Sequence, residues 1–506
     1  MPRLRSALPA LLALILAVDA VLLAPGLSLA AETSESAGSA PQEVTPPKET
    51  RASRESEAVR QRQQQYLQQF GGRYEDERLQ QYVNEVGQRV AAKSDRPDIK
   101  YTFTVLDDDQ INAFADPAGY IYVHRGLLAH LSSEAELAAT LGHEIGHVTA
   151  RHSARRQAGA VASAIGSTLV GVLTGNAGLM SAADMAGGAM VMGYSREQES
   201  EADELGMKFV GRAGYEPTAM IETLQVLWTN DQYQLQKARE ERRDVSGRGG
   251  LFASHPDTDK RVQEASALAP KFKISSAEAR PANSDKYLAH IDGLVVGSSG
   301  AQGVVRGSRF YHAGIGITLA FPSGWTIDNQ PAKLMAYGPG EDRLVEVSAQ
   351  PIPPNTTAKA FLGRLMQGQA SSTAEPLEFN GLTGYRANIR NARMPWGNNG
   401  PVAVAVVYSN GLAYVFVGAT RIASQFNTFE PVFVSSLKTF RRLRDNEYAA
   451  AEPERIRLVK AGPDTRIAQL AQNAPNPKFA ADRLRLLNGL YPDKEPTPGQ
   501  MLKVVD

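Results

Sequence analysis

The sequence predicts a mainly α-helical first domain of the α+β class, followed by a second α+β domain and a small βααβ module. Apolar residues recur at helical spacing through most of residues 51–274, with strand-like stretches at 101–106 and 119–124. Residues 308–445 instead contain short strand-like runs separated by turn residues. In residues 456–506, a strand at each end encloses two short helical stretches.

Three segments differ in composition from the predicted domains. Residues 275–307 are rich in Ser, Gly and Ala, so we predict a linker there and a second linker at 446–455. Residues 157–192 are almost uncharged and rich in Ala and Gly. We expect two buried helices that pack through small residues in this segment. A hairpin in contact with a membrane and a mobile lid are the alternatives.

The composition excludes several classes of function. The chain has 506 residues and no cysteine, which excludes a thiol nucleophile, a cysteine-ligated metal site, disulfides and a lipoprotein anchor. Its 54 basic residues are balanced by 54 acidic residues. This balance offers no overall attraction to nucleic acid or to an anionic membrane.

The N-terminus predicts export. A positively charged start precedes an apolar segment at 7–25, and Ser-Leu-Ala at 28–30 resembles a cleavage site. We therefore predict a cleaved signal peptide over residues 1–30. A membrane anchor is the alternative, but the uncharged runs are shorter than the roughly 20 residues that span a bilayer. Residues 31–50, rich in Ser, Pro, Glu and Thr, are predicted to be disordered.

The segment His143-Glu144-Ile145-Gly146-His147 carries the strongest chemical pattern. Ser132 and Ser133 predict the start of the helix that contains it. Positions i and i+4 share a helix face, so both imidazoles can bind one zinc ion, and the adjacent glutamate can act as general base. A pair of solvated helix histidines is the alternative, which the apolar surroundings disfavour.

A third ligand must come from elsewhere in the chain. A metzincin pattern would need glycine and histidine where the chain has Ala150 and Ser153, and His152 is out of register, so we interpret it as structural. Glu199 and Asp203 lie on one face of a later helix. One can bind the metal while the other accepts a hydrogen bond from a ligand histidine. A solvated acidic face accounts better for the neighbours Glu197, Glu201 and Glu204.

These motifs, with Asn112-Ala113-Phe114-Ala115 and the strand at 119–123 upstream, resemble the M48 family of gluzincin peptidases. The resemblance covers residues 55–270 and is closest to the exported, periplasmic branch that acts in outer-membrane biogenesis. It implies a zincin-type peptidase domain with one Zn²⁺ per chain. It also implies roles for five residues: His143, His147 and Glu199 as metal ligands, Glu144 as general base, and Asp203 as the partner of a ligand histidine.

The resemblance extends to Ser254-His255-Pro256 and to Arg261, six residues after the histidine. It implies that His255 can occupy the open position on the zinc and hold the enzyme latent. Stabilisation of the reaction's oxyanion is a second role, and an ordinary loop histidine is the third interpretation. The family also implies that the strand at 119–124 pairs with an extended substrate. The resemblance further implies tetratricopeptide repeats that deliver the substrate, but the sequence shows no 34-residue period.

The C-terminal segments resemble known modules. Residues 456–506 resemble a LysM domain, which implies peptidoglycan binding, although Pro463 interrupts the usual Gly-Asp-Thr. A module that only packs against the rest of the chain is the alternative. Residues 308–445 are similar to PsbP-like folds, and we assign no chemistry to them.

Together these observations predict a periplasmic zinc metalloendopeptidase that cleaves envelope proteins in quality control or outer-membrane assembly. Its partners would be unfolded or misassembled outer-membrane proteins. The alternative is a mostly latent protease that acts as a chaperone or assembly factor tethered to the cell wall. Hydrolysis of peptidoglycan cross-links is a weaker third hypothesis.

Overall fold

The computed structural model describes most of the chain from residue 51 onwards: residues 51–156, 193–240, 258–272, 274, 280, 284–366, 369–394, 396–472 and 479–506. The predicted signal peptide and disordered N-terminus, the apolar segment 157–192 and His255 lie outside these residues. In the described part, no helix combines the length and hydropathy needed to cross a membrane.

The first domain begins with two helices and a small sheet. Its elements in chain order are α1 (Arg51–Gln69), α2 (Glu77–Ala91), β1 (Thr102–Leu106), β2 (Ala113–Ala115) and β3 (Tyr120–His124). β3 is the central strand, parallel to β1 and antiparallel to β2. We expected β3 to pair with substrate, but both of its edges are already paired. β2 is instead an outer strand of this sheet.

Among the described residues, five α-helices complete the part of the domain that carries the predicted metal ligands. They are α3 (Arg125–His130), α4 (Glu134–Thr149), α5 (Arg196–Arg212), α6 (Ala219–Glu240) and α7 (Thr258–Leu268). α4 begins where the sequence predicted, because the Ser133 hydroxyl accepts a hydrogen bond from the Glu136 amide at 3.1 Å. The Glu136 carboxylate in turn accepts from the Ser132 amide at 2.9 Å. α4 is buried along nearly its whole length and contacts β2, α5 and α6.

The segment predicted as the first linker contains regular structure. It forms α8 (Ser284–Ile291) and β4 (Val295–Val296). The buried Tyr287 hydroxyl donates to the Leu128 carbonyl at 2.6 Å, and Ile291 and Leu294 are also buried. Because Ser and Gly residues surround these apolar residues, the composition of the segment predicted a linker and not a helix and a strand.

The second predicted linker also differs from the expectation. Residues Asp445–Ala451 form a 3-10 helix, and Arg306 pairs with Glu454 at 2.5 Å immediately after it. The segment is therefore fixed against the strands that precede it in the chain.

A sheet-rich region follows, as the sequence predicted. Its elements are β5 (Val304–Arg306), β6 (Arg309–His312), β7 (Ile317–Ala320), β8 (Thr326–Asn329), β9 (Lys333–Tyr337), β10 (Arg343–Pro351), α9 (Ala358–Leu365), β11 (Glu375–Phe379), β12 (Leu382–Arg393), β13 (Asn399–Ser409), β14 (Leu412–Thr420), α10 (Phe426–Lys438) and β15 (Arg441–Arg442). A seven-stranded antiparallel sheet has the order β11-β12-β13-β14-β10-β9-β8, and a four-stranded sheet has the order β15-β7-β6-β5.

Strand alternation in β13 separates two apolar layers of this region. Val404 and Val406 belong to the cluster that contains Phe361 of α9. Ala405, between them, belongs to the cluster that contains Phe433 of α10. Because successive residues of a strand point to opposite faces, α9 and α10 cover opposite faces of the large sheet.

The C-terminal residues form two strands and two short helices. They are β16 (Glu454–Lys460), α11 (Ile467–Leu470), α12 (Ala480–Leu487) and β17 (Met501–Val505), with β16 and β17 antiparallel. Ile456, Ile467, Leu487 and Leu502 lie in the same apolar cluster as Leu128 of the first domain. The module therefore shares a core with the first domain, although 308–445 separate the two in sequence.

Lys503 of β17 is the polar part of this contact. Its side chain is buried, and the amine donates to the carbonyls of Leu131 at 2.7 Å and His130 at 3.3 Å. Burial lowers the pKa of Lys503 to about 7, against the opposing effect of Glu136. The C-terminal strand is thus anchored beside the start of α4.

We expect Lys503 to give the protein a distinct pH dependence. Its folded pKa lies below that of an unfolded lysine, about 10.4, so between these values the unfolded chain binds more protons. The cost of burying the amine is therefore full below about pH 7 and disappears as pH rises towards 10. Relative to Lys503→Met, the wild type should gain more than about 1 kcal/mol of unfolding free energy between pH 6.5 and pH 9, measured by denaturant unfolding.

Lys460→Met is the matched control, because Lys460 is exposed on the neighbouring strand β16. Its difference from wild type should not change with pH. Glu136 and His130 are ionisable groups that interact with Lys503, and their own charges could change with pH. Their titration is therefore compared between the wild type and each variant. A pH-independent difference for Lys503→Met would contradict the prediction.

Candidate metal centre

Three side chains converge between α4 and α5. The Nε2 atoms of His143 and His147 are 3.0 Å apart, and each lies 3.5 Å from a carboxylate oxygen of Glu199. All three side chains are buried, and their ligand atoms lie within 4.8 Å of one another. The structure thus brings together the three residues that the sequence nominated as metal ligands.

Small residues allow the two ligand-bearing helices to approach closely. A Cβ atom at Gly146 would lie 3.0 Å from the Ala202 carbonyl oxygen, and one at Gly206 would lie 3.0 Å from the His143 amide nitrogen. A Cβ atom at Gly142 would lie 2.9 Å from the Val210 side chain. Such distances exclude larger side chains unless the helices move apart.

Asp203 and Arg261 hold the His143 side of the centre. An Asp203 carboxylate oxygen lies 2.8 Å from His143 Nδ1, on the ring edge opposite the ligand nitrogen. Arg261 of α7 donates two hydrogen bonds to Asp203, at 2.7 and 2.8 Å, and its Nη1 lies 2.7 Å from Glu199. Burial alone would raise the pKa of Asp203, but the charges of Arg261 and His143 hold it below its ordinary value.

Glu144 lies beside the ligands at the edge of a small cavity. This cavity has a volume of about 30 Å³, and its lining includes the charged or polar side chains of His143, Glu144 and Arg261. The apolar part of the lining includes Leu127, Met220, Leu224 and Leu227. The Glu144 carboxylate therefore borders both the candidate metal centre and a cavity whose lining is partly apolar.

The His147 side of the centre contains residues that the sequence interpretation assigned elsewhere. His147 Nδ1 lies 2.8 Å from Nδ1 of His152, and His152 Nε2 lies 3.2 Å from a carboxylate oxygen of Glu201. We expected His152 to lie off the ligand face of the helix. That expectation assumed a continuous helix, whereas α4 ends at Thr149 and Arg151 adopts a left-handed conformation with φ of 55°. This turn returns His152 to the site.

Tyr194 forms a further wall that the sequence did not suggest. Its ring stacks on His147 with a centroid distance of 3.8 Å and an interplanar angle of 17°. Its hydroxyl is 3.1 Å from the Ser153 hydroxyl, and burial raises the pKa of Tyr194 to about 12. A lone tyrosine before a predicted helix gives no sequence pattern from which this position could be inferred.

The donor set fits a zinc ion. Two imidazole nitrogens and one carboxylate oxygen are a common catalytic zinc set, which leaves one position for water or substrate. Each ligand histidine also has a partner at its other ring nitrogen, as ligand histidines almost always do. His255, the other nominated residue, lies outside the described residues, so its place relative to these ligands stays a prediction.

Comparison with known proteins identifies relatives that match part of the chain. The chain is 31% identical over 208 residues to a beta-barrel assembly-enhancing protease of Yersinia pestis, covering 39% of this chain and 40% of the relative. It is 27% identical over 239 residues to the protein of that name from Escherichia coli K12, covering 44% and 45%. It is 29% identical over 198 residues to the mitochondrial metalloendopeptidase OMA1 of Schizosaccharomyces pombe, covering 38% and 54%. The chain thus spans less than half of these bacterial relatives.

Among solved structures, the chain is similar to cyanobacterial PsbP (CyanoP) from Synechocystis sp. PCC 6803. The identity is 18% and the TM-score 0.22, over 29% of this chain and 98% of that chain. A score at this level supports no conclusion about the sheet-rich region.

The family comparison covers the candidate metal centre itself. Residues 77–269 match the model described as peptidase family M48. This range includes His143, Glu144, His147, Glu199, Asp203 and Arg261, the residues of the candidate metal centre. The chain therefore carries a peptidase family M48 domain.

Proposed function

We propose that this protein is a zinc-dependent endopeptidase that cleaves proteins of the cell envelope during outer-membrane protein assembly or quality control. The observation that carries the proposal is the convergence of His143, His147 and Glu199 with Glu144 at the same site. The names of the bacterial relatives, which refer to β-barrel assembly, support this class of substrate. The predicted signal peptide supports a periplasmic location.

The side chains around the centre have distinct tasks in this proposal. When bound, zinc supplies Lewis acidity towards a peptide carbonyl and makes water a stronger acid. Glu144 accepts the proton of the attacking water and passes it to the leaving amine. Asp203 fixes the His143 ring, and Arg261 compensates the buried charges of Asp203 and Glu199.

Two features support recognition of an extended polypeptide. The outer strand β2 contacts α4, so a substrate backbone added to that edge would pass beside Glu144. The apolar part of the lining of the adjoining cavity suits a small apolar side chain of the substrate, given the cavity volume of about 30 Å³. Backbone pairing with one shallow pocket favours broad sequence tolerance, which suits the removal of unfolded or misassembled proteins.

The second candidate function is a mostly latent protease that acts as a chaperone or assembly factor. It rests on His255, which the family resemblance allows to occupy the open metal position. It also rests on the LysM-like module, whose element order matches a strand-helix-helix-strand fold and which would tether the protein to peptidoglycan. Because the module shares its core with the first domain, the full chain is the correct sample for co-sedimentation with insoluble peptidoglycan. Failure to co-sediment would remove the tether.

We expect the purified protein to bind about one zinc per chain, and Glu199→Ala to weaken binding by more than about 100-fold. Loss of an outer partner typically costs 10- to 100-fold, so loss of a direct ligand should exceed about 100-fold. Metal content and competition with a chromogenic chelator measure the effect. Glu204→Ala is the control, because Glu204 is an exposed glutamate on the same helix. Equal zinc affinity in the two variants would exclude Glu199 as a ligand.

We expect Glu144→Gln to retain zinc and fold but to hydrolyse casein about 10²- to 10⁴-fold more slowly, the usual cost of losing a general base. Turnover, zinc content and circular dichroism are measured on one preparation, with Glu204→Gln as the control. A chaperone without peptidase chemistry would be indifferent to this change. Unchanged casein turnover in Glu144→Gln would exclude Glu144 as the general base, whereas no casein turnover in the zinc-loaded wild type would favour the second candidate function.

We expect His255→Ala to increase proteolysis with zinc content unchanged, because removal of an imidazole from the open metal position makes room for water. Casein turnover and zinc content are again measured together. A fall in turnover of about 10²- to 10³-fold at constant zinc would instead assign His255 to oxyanion stabilisation. No change in either quantity would make His255 an ordinary loop histidine.

A further inference from the structure

The two ligand histidines are held by different kinds of partner. His143 Nδ1 lies 2.8 Å directly from the Asp203 carboxylate. His147 Nδ1 meets a second imidazole, that of His152, at the same distance of 2.8 Å. The carboxylate on this side belongs to Glu201, which lies 3.2 Å from His152 Nε2. His147 is therefore linked to a carboxylate through an intervening histidine, whereas His143 contacts one directly.

The intervening histidine is rigidly placed. His152 is fully buried, and the left-handed turn at Arg151 sets the path of the chain into it. Glu201 is partly exposed, but Arg155 holds its carboxylate by a hydrogen bond of 2.9 Å. Tyr194 covers the face of His147 by stacking. His147 is thus confined at its ring face and at its Nδ1 edge.

The hydrogen-bond pattern fixes the ring tautomers when His147 binds a metal. Nε2 of His147 then uses its lone pair on the metal, so Nδ1 carries the hydrogen and donates to His152 Nδ1. His152 must accept at Nδ1, so its Nε2 carries a hydrogen and donates to Glu201. The negatively charged carboxylate of Glu201 thus lies at the end of this chain of hydrogen bonds.

We infer that His152 and Glu201 are positioning residues that orient His147 and raise the affinity of the centre for zinc. This relay, defined as His147, His152 and Glu201, rests on the proposed metal site and adds a function to two residues outside the ligand set. His152 and Glu201 together orient the His147 ring, as Asp203 orients the His143 ring by direct contact. Glu201 therefore differs from the other surface glutamates of α5, because its carboxylate is connected to the metal ligand.

The test measures the zinc dissociation constant of the full chain by competition with a chromogenic chelator. His152→Ala should raise this constant about 10- to 100-fold, the usual cost of losing the outer partner of a ligand. Glu201→Ala should raise it as well, by a smaller factor. Glu204→Ala, an exposed change on the same helix, should leave it unchanged. His152→Asn should recover part of the affinity, because its Oδ1 can accept from His147 Nδ1 as the histidine nitrogen does.

The melting temperature of each protein without metal separates orientation from simple packing. Lower melting temperatures with an unchanged zinc dissociation constant would overturn the relay and leave His152 as a packing residue. Glu201→Ala decides the question if His152→Ala does not fold, because Glu201 is partly exposed. A wild type that binds no zinc would overturn the proposed metal centre itself. A wild type that binds zinc with the same affinity as His152→Ala and Glu201→Ala would overturn the relay alone.

Discussion

The close contact between α4 and α5 is the constraint on which the metal centre depends. Glu199 lies 3.5 Å from both His143 and His147, and the helices that carry these residues meet closely at Gly142, Gly146 and Gly206. A Cβ atom at any of these glycines would press on the backbone or a side chain of the opposite helix. Glycine inside a helix costs roughly 1 kcal/mol relative to alanine. These glycines therefore lower the intrinsic stability of each helix but allow the two helices to approach closely. Gly146 thus has a packing role inside the His-Glu motif itself.

Burial at this crossing creates an electrostatic requirement that Arg261 meets. Glu199 and Asp203 are buried carboxylates, and unpaired buried charges are unfavourable. Arg261 is equally buried and contacts both, so α7 is fixed to α5 at the same place where the ligands are held. Removing one partner of a buried ion pair typically costs about 3–5 kcal/mol. The geometry of the ligands and the stability of the helix packing are therefore maintained by the same residues.

Helical spacing was sufficient to predict that His143 and His147 share one helix face and that Glu199 and Asp203 share another, because each pair lies within an uninterrupted helix. The resemblance to M48 peptidases, and not the spacing, assigned Glu199 rather than Asp203 to the metal. The spacing argument failed for His152, since a left-handed residue after the end of α4 changes the direction of the chain. Composition failed between 284 and 296, where a short apolar segment flanked by Ser- and Gly-containing stretches forms a helix and a strand. Local patterns do not encode such backbone reversals, nor contacts between residues that are far apart in the sequence.

The last module packs against the first domain, and its sequence pattern alone did not indicate this contact. Its boundaries were predicted from a linker at 446–455 and from its strand-helix-helix-strand pattern, but its apolar side chains belong to the core of the first domain. Lys503 contacts the carbonyls that precede α4, and Glu136, whose carboxylate caps that helix, is the carboxylate that favours its charged form. The start of the helix that carries both ligand histidines is thus packed against the C-terminal strand. If the module binds the cell wall, the peptidase domain is held there in a fixed orientation, because the two share one apolar core.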